Sequence, residues 1–167
     1  HVVFGQRSSF GSALNLASLN GKNGIRLDNA GKGILRVAGA GDVNGDGAAD
    51  LVIGNSRASP DGRKAAGSSY VVFGGERDHA PAIDLGALSG HDGFRLDGAA
   101  PGERSGSAVS QAGDINADGF SDLIVSSDGS VTGNASFYLY LGRASGDPFA
   151  PSQLAYQKLN ASVGVMA

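Results

Sequence analysis

The sequence has no cysteine, no tryptophan and few aromatic residues, which make up 7% of the chain. Without cysteine, neither disulfide bonds nor thiolate metal sites can form. Missing disulfides do not exclude secretion, because a bound metal such as calcium can serve as the cross-link instead. No apolar run approaches the ~20 residues that a membrane-spanning helix requires, so we expect no membrane span.

Motifs of catalytic and nucleic-acid-binding proteins are also missing. There is no Gly-x-Ser-x-Gly nucleophile elbow, no His-Glu-x-x-His pair and no phosphate-binding loop, so we expect no enzymatic activity in this chain. Lysine and arginine form no run that could follow a phosphate backbone, which argues against nucleic acid as a partner. No signal peptide is recognisable and the chain opens inside the apolar stretch Val2-Val3-Phe4-Gly5, so we expect a piece of a longer protein.

Glycine, in contrast, is abundant, with 28 residues, and apolar residues make up 41% of the 167-residue chain. The apolar fraction predicts a folded domain with its own core. Glycine at this level favours short strands joined by tight turns over long helices. The formal net charge is −3, and six of the 16 acidic residues fall within two short segments. Those segments concentrate negative charge that repels itself unless a cation is bound.

The two acidic segments are copies of one nine-residue pattern, Asp-x-Asn-x-Asp-Gly-x-x-Asp. Side-chain oxygens stand at positions 1, 3, 5 and 9, and the glycine at position 6 permits a sharp turn. Such oxygens suit a hard divalent cation, and Ca²⁺ is favoured over Mg²⁺, which demands octahedral geometry and retains its waters. We predict two Ca²⁺ sites, with the backbone carbonyl of position 7 as a fifth protein ligand. The predicted ligands are Asp42, Asn44, Asp46, Ala48 and Asp50 in the first loop, and Asp114, Asn116, Asp118, Phe120 and Asp122 in the second.

Two alternatives compete with this interpretation of the loops. An EF-hand needs an acidic ligand at position 12 and a helix after it. Position 12 is Ile53 in one copy and Val125 in the other, within apolar β-branched runs, which excludes an EF-hand. Asp, Asn and Gly also form turns without any metal. Because both copies keep all four side-chain ligands and the glycine, metal binding is favoured over plain turns.

The loops belong to a longer repeat with a period of about 69 residues. Apolar blocks four to eight residues long recur in the same order, rich in Val, Ile, Leu, Phe and Tyr and bounded by turn formers, which predicts strands. No stretch shows sustained helical spacing of apolar residues. The four predicted strands of one unit are Ile34–Gly41, Asp50–Gly54, Ser69–Phe73 and Gly93–Asp97, with the metal loop between the first two.

Tandem four-stranded antiparallel units are typical of β-propeller blades, so we predict an all-β fold with about two and a half blades. The predicted division is a partial blade at 1–28, a full blade at 31–98, a second blade at 99–160 and the start of a further strand at 161–167. The last strand of the second blade is the weaker candidate Leu154–Leu159. Propellers close with four to eight blades, so the missing blades would come from the rest of a longer chain or from another copy of this chain.

These features resemble the FG-GAP repeats of integrin α-subunit β-propellers and of large bacterial surface proteins. The resemblance rests on Phe4-Gly5 and Phe73-Gly74, on the two acidic loops and on the apolar strands after them. It implies blades with Ca²⁺ bound in the hairpin between the first two strands, on one face of the disc. The sequence departs from the family at Gly54-Asn55-Ser56 and Ser126-Ser127-Asp128, where Gly-Ala-Pro is usual, and the pattern fades after Gly142.

We therefore expect a calcium-stabilised, non-catalytic module for adhesion or partner binding, with a protein or carbohydrate ligand. Extracellular calcium modules bind at ~10⁻⁴–10⁻³ M, so the sites would fill outside a cell, and we expect an extracellular or cell-surface location. The alternative is an accessory propeller of a secreted hydrolase or lyase whose catalytic part lies outside this sequence. A purely structural spacer is the third interpretation.

Other charged pairs receive structural interpretations. His91-Asp92 could form a general-acid pair, but a solvated turn is the favoured interpretation. Surface or inter-blade ion pairs are expected for Arg26 with Asp28, Arg95 with Asp97 and the Glu103-Arg104 dipeptide.

Overall fold

The computed structural model describes residues 1–7, 11–75, 80–129 and 135–144 of the chain, and the backbone of 157–159. This part of the chain is built from short strands. They are β1 (Val2–Val3), β2 (Gly24–Asp28), β3 (Leu35–Gly41), β4 (Asp50–Asn55), β5 (Ser68–Val72), β6 (Ala82–Asp84), β7 (Gly93–Asp97), β8 (Ser105–Gly113), β9 (Asp122–Ser127), β10 (Ser136–Tyr140) and β11 (Gln157–Leu159). Helical structure in the same residues is limited to the 3₁₀ turns Leu16–Ser18, Pro60–Gly62 and Leu85–Ala87, so no described helix is long enough to cross a membrane.

The strands form three open sheets. Sheet 1 has the order β1-β2-β6, sheet 2 the order β3-β4-β5-β7 and sheet 3 the order β8-β9-β10-β11. All neighbouring strands in sheets 2 and 3 are antiparallel, as is the β1–β2 pair. The prediction of an all-β fold with antiparallel sheets is confirmed. The assignment of these sheets to propeller blades, and the number of blades, stay predictions.

Strand positions follow the sequence pattern closely in sheet 2, where each predicted strand is found with ends shifted by a residue or so. The sequence pattern missed β6, which pairs in parallel with β2, Ile83 opposite Leu27. Sheet 1 thus takes a strand from within the segment predicted as the full blade, residues 31–98. Of the weak candidate Leu154–Leu159, β11 covers the end, whereas the candidate strand in 161–167 lies outside the described residues.

Sheet 2 has apolar side chains on both faces because its central strands β4 and β5 contain consecutive apolar residues, 51–53 and 70–72, whose side chains point to opposite faces in turn. In β4, Val52 belongs to one core cluster, and its neighbour Ile53 to the other. The cluster between sheets 2 and 3 contains Val52, Val71, Phe94, Leu96, Leu123, Val125 and Tyr140. The cluster between sheets 1 and 2 contains Ile25, Ile53, Tyr70, Val72, Ile83 and Leu85. The three sheets are therefore stacked face to face, with sheet 2 in the middle.

Gly67 marks a close approach between sheets 2 and 3. It forms an isolated parallel bridge with Ser105, and the N–H of Ser105 donates to the carbonyl of Ala66 at 2.9 Å. The φ angle of Gly67 is 86°, in the left-handed region that favours glycine, and a Cβ there would overlap the backbone of Ser105. Only glycine lets the two backbones meet at this point.

Candidate metal centre

The first acidic loop joins β3 to β4 and wraps around the carboxylate of Asp42. Asp42 Oδ1 accepts the backbone N–H groups of Gly45 and Asp46, at 2.7 and 3.0 Å, and Oδ2 accepts that of Gly47 at 2.9 Å. Gly47 has a φ of 84°, which a residue with a Cβ adopts only with strain. The glycine of the motif therefore allows the loop to close around its first aspartate.

Asn44 and Asp46 are hydrogen-bonded to each other within this loop. Asn44 Nδ2 donates to Asp46 Oδ2 at 2.9 Å, and the backbone N–H of Asp46 donates to Asn44 Oδ1 at 3.1 Å. Asp46 Oδ1 accepts the N–H of Ala48 at 2.9 Å. Asn44 is buried whereas Asp46 is exposed, so the carboxylate at position 5 faces the solvent side of the loop.

Asp50, at the start of β4, is buried and connects the loop to the end of β5. Its Oδ2 accepts the N–H of Val43 and its Oδ1 that of Gly74, each at 2.8 Å. Burial raises the pKa of Asp50 from 3.8 to about 6. The two backbone hydrogen bonds oppose this rise, and the charges of Asp46 and Asp42 add to it. An ionised Asp50 is therefore held in place at an electrostatic cost.

The second loop, between β8 and β9, repeats this arrangement. Asp114 accepts the N–H groups of Asp118 and Gly119, at 3.1 and 2.9 Å. Asn116 Nδ2 donates to Asp118 Oδ2 at 2.7 Å. Asp122, buried like Asp50, accepts the N–H of Ile115 at 2.8 Å and that of Gly142 at 2.9 Å. The two copies of the motif thus share this pattern of hydrogen bonds as well as the sequence pattern Asp-x-Asn-x-Asp-Gly-x-x-Asp.

The donor set of each loop suits calcium, although its side chains are turned toward backbone N–H groups. Among the described residues, no three acidic or histidine side chains stand close enough together to hold a metal as they are. Each loop nonetheless gathers three carboxylates and one amide on nine residues, and hard oxygen ligands are what Ca²⁺ prefers. Asp42 and Asp50 in the first loop and Asp114 and Asp122 in the second form no ion pair with a described residue. The ligand assignment, including the carbonyls of Ala48 and Phe120, stays a prediction.

The two loops contact each other directly, which the sequence did not reveal. Ser121, at position 8 of the second loop, forms two hydrogen bonds with the backbone of Asp42 in the first loop. Ser121 Oγ accepts the Asp42 N–H at 3.1 Å, and the Ser121 N–H donates to the Asp42 carbonyl at 2.8 Å. The ring of Phe120 lies over Gly45, where a Cβ would overlap it. Arg143 N–H donates to the carbonyl of Val43 at 2.9 Å. The loops therefore form one continuous surface.

Two further groups of hydrogen bonds near the site differ in how far the sequence could have predicted them. Gly74 is part of the Phe73-Gly74 pair noted in the sequence, and Gly142 recurs at the matching place in the repeat; their N–H groups donate to the aspartates at position 9, a role that the sequence did not indicate. The hydrogen bonds of Glu103 could not have been predicted, because this residue has no counterpart in the motif. Its Oε2 accepts the N–H groups of Ala99 and Ala100, and its Oε1 accepts the hydroxyl of Tyr138.

The charged pairs singled out in the sequence have mixed outcomes. Arg26 with Asp28 and Arg95 with Asp97 form the expected ion pairs, each at 2.8 Å. Arg104 pairs with Asp128, at 3.4 Å, while Glu103 makes the hydrogen bonds described above. His91 Nδ1 lies 3.1 Å from Asp92 Oδ1, but the side chains are 79% and 50% exposed, as expected of a solvated turn.

Comparison with known proteins places the two loops within a recognised repeat. The FG-GAP repeat family model matches residues 36–72 and 105–140. Phosphatidylinositol-glycan-specific phospholipase D of Rattus norvegicus is 37% identical over 114 residues, which cover 66% of this chain and 13% of that protein. The Mus musculus protein of the same name is 38% identical over 109 residues, 63% of this chain and 12% of that protein. Integrin alpha-IIb of Homo sapiens is 36% identical over 121 residues, 68% of this chain and 11% of that protein.

Proposed function

Because the chain carries two FG-GAP repeats, at residues 36–72 and 105–140, we propose that it is a calcium-binding, non-catalytic propeller module of an extracellular or cell-surface protein. The observation that carries this proposal is the shared structure of the two loops, each folded with its backbone N–H groups around the carboxylate of its first aspartate. The chain spans 11% to 13% of the length of the relatives above, so the activity and partners of the whole protein are part of the proposal.

Hydrogen bonds of the asparagines support a cation at the centre of each loop. Asn44 donates its amide to Asp46, and Asn116 donates to Asp118, so a partially positive N–H group faces the position-5 carboxylate in both copies. A cation in place of this N–H group would attract the carboxylates more strongly, because it has a full positive charge. Asn44 and Asn116 would then turn their amide oxygens toward the ion, with Asp42, Asp46, Asp50 and the Ala48 carbonyl as co-ligands in the first loop.

The role of these residues is electrostatic and mechanical. Neutralising three aspartates per loop removes their mutual repulsion. The position-9 aspartates, Asp50 and Asp122, also accept hydrogen bonds from Gly74 and Gly142, which lie just after the third strand of each sheet. Fixing these aspartates would therefore also fix the end of the third strand. Calcium would therefore brace three of the four strands in each sheet. Extracellular modules bind calcium at ~10⁻⁴–10⁻³ M, an affinity that fills the sites outside cells, which supports the proposed location.

The face-to-face stacking of sheets supports propeller blades. Sheets 2 and 3 each have four strands, and within each sheet the strands lie side by side in the order of the sequence. The two sheets pack through apolar faces. Such radial repetition is how propellers are built. Further blades would come from more of a longer chain or from a second copy of this one. We propose protein or carbohydrate partners for the finished ring, since rigid scaffolds with variable loops are suited to recognition.

A second candidate function is favoured by one specific observation. Relatives at 37% and 38% identity are named as phospholipases D specific for phosphatidylinositol-glycan. The chain could accordingly be the accessory propeller of a hydrolase whose catalytic part lies in other sequence. Both candidates share the calcium loops and differ in whether a catalytic domain accompanies them, so sequencing the complete gene distinguishes them.

Calcium titration tests the shared proposal. At free calcium about a hundredfold above Kd, each site stabilises the fold by about 2.7 kcal/mol. For a chain of this size we therefore expect the Tm to rise by about 5–10 °C per site, as measured by calorimetry in calcium and in chelator. The double variant Asp46→Ala, Asp118→Ala should lose this response. Asp92→Ala, which removes an exposed aspartate outside the loops, should keep it. A Tm that is the same in chelator and in calcium for the unaltered chain would contradict the proposal.

A further inference from the structure

A small polar pocket lies between sheets 2 and 3, at the end of the strands opposite the acidic loops. Its volume is about 160 Å³, and apart from Ile34 its lining is polar: Arg36, Ser56, Arg57, Arg104, Ser107 and Asp128. Leu35 pairs with Asn55 and Ser105 with Ser127 at this end, so the pocket is formed where the first strands begin and the second strands finish. Neither the motif nor the proposed calcium sites use these residues.

The charge of the pocket is opposite in sign to that of the chain. Three guanidinium groups and one carboxylate line it, whereas the chain as a whole has a formal net charge of −3. The side chains of Arg36 and Arg57 make no hydrogen bond or ion pair with any described residue. Clustered arginines repel one another, so an anion held between them lowers the electrostatic energy.

Arg104 is held in an unusual conformation at the wall of this pocket. Its φ is 58°, in the left-handed region, and its backbone N–H is fixed by the carbonyl of Ala65 at 3.1 Å. Its Nη1 reaches Asp128 Oδ2 only at 3.4 Å, and its Nε is buried with no hydrogen-bond partner in the described structure. Strained backbone and an unsatisfied buried donor are both unfavourable, and such features concentrate at binding sites.

We infer that this pocket binds a tetrahedral oxyanion, sulfate or phosphate, either as the free ion or as the end group of an ester. Guanidinium groups recognise such anions through paired N–H donors. The hydroxyl of Ser56 adds a donor to the lining, whereas that of Ser107 already donates to the carbonyl of Ser126 at 3.1 Å. Asp128 competes with the anion for Arg104 and limits affinity. The inference is independent of calcium, because the acidic loops lie at the other end of the strands.

The test is isothermal titration of the 167-residue chain with sodium sulfate at constant ionic strength, balanced with sodium chloride. Saturable binding with one site per chain is expected. Arg36→Gln with Arg57→Gln should weaken it by about tenfold or more, since each variant removes a charged hydrogen-bond donor. The matched control is Arg7→Gln with Lys22→Gln, which removes the same charge from exposed residues elsewhere and should change the Kd by less than about twofold.

Asp128→Asn provides a test that misfolding cannot imitate, because it should tighten sulfate binding. Inorganic phosphate and methyl phosphate are titrated alongside, and equal affinity for both identifies the end group of an ester, whereas binding of the inorganic ions alone identifies a free ion. Acetate and chloride should bind at least about tenfold more weakly than sulfate. Absence of saturable sulfate binding, or an equal loss in the control variant, would overturn the inference.

Discussion

Asp50 combines burial, two backbone hydrogen bonds and two acidic neighbours, and these give it an unusual titration. Burial is the largest influence and raises the pKa of Asp50 from 3.8 to about 6. Because the folded protein holds this proton more tightly than the unfolded chain, the contribution of Asp50 to stability grows as the pH falls through 6 and is complete below about 4. Above pH 6 the ionised group costs the fold stability unless a cation is nearby.

Carbon-13 NMR of the side-chain carboxyl carbons measures this directly. In chelator, one buried aspartate should titrate near pH 6, and Asp50→Asn should remove that signal. With calcium bound, its midpoint should move to lower pH, because the cation favours the carboxylate. A midpoint near the ordinary value in metal-free protein would contradict the assignment of burial as the main influence.

Gly67 allows a second prediction at the scale of one residue. Gly67→Ala forces a Cβ into the backbone of Ser105 at a φ of 86°, and we expect it to lower the free energy of unfolding by about 3 kcal/mol or more. Gly62 is the matched control, since its φ is 76° but no atom lies near its Cβ position. Gly62→Ala should cost only about 1–2 kcal/mol. Urea denaturation of the two variants compares them, and equal losses would refute the close contact.

At the scale of elements, the two acidic loops form a coupled pair because Ser121 and Phe120 of one contact the other. Ser121 accepts the N–H of Asp42, a predicted calcium ligand in the first loop. Removing its hydroxyl leaves that N–H without its acceptor, which typically costs about 1–3 kcal/mol for a buried group. The second loop therefore helps to shape the first.

Ser121→Ala tests this coupling. In chelator it should lower stability by about 1 kcal/mol, and in an Asp118→Ala background it should weaken calcium binding by the remaining first loop. Ser110→Ala is the control, because among the described residues the Ser110 hydroxyl donates to the neighbouring carbonyl of Gln111 and to no other group. Calcium titration followed by calorimetry gives both values. If Ser121→Ala left first-loop affinity unchanged, the loops would be independent.

Elements whose signal is local were predictable, and those that depend on tertiary pairing were not. The four strands of sheet 2 and both acidic loops follow from apolar alternation and from turn chemistry that each segment carries itself. Strand β6 has only three residues and is extended because it pairs in parallel with the edge of β2. The hydrogen bonds between Ser121 and Asp42 likewise depend on the stacking of sheets 2 and 3, because the two residues are far apart in the sequence. Nothing local to Ser121 indicates that contact.

At the scale of the whole molecule, one apolar face of sheet 3 has no other described sheet packed against it. Phe73 in the first repeat is 3% exposed, because sheet 3 packs against that face of sheet 2, whereas its counterpart Leu141 is 41% exposed. Leu139 lies on the same face, and Phe137 beside it is 44% exposed. If the repeat continues in the same way, we expect another sheet of the same kind to pack there.

We expect the isolated chain to self-associate through this face, in a concentration-dependent way seen by sedimentation velocity. Leu139→Lys with Leu141→Lys should shift the population to monomer, because burying an ammonium group in the interface is unfavourable. Leu14→Lys is the control, since Leu14 is also 41% exposed but lies elsewhere in the chain. A monomer at all concentrations, or equal effects of both substitutions, would exclude self-association through sheet 3.

Because β2 pairs in parallel with β6, the boundaries of the sheets do not coincide with the boundaries of the sequence repeats. Sheet 1 is completed by Ala82–Asp84, which lies between two strands of sheet 2 in the chain. A cut or a recombination joint placed at a boundary of the sequence repeat would therefore separate β2 from its partner. Neighbouring repeats are linked by this strand pair, so we expect engineered chains that keep overlapping pairs of repeats to be more stable than chains cut at a repeat boundary.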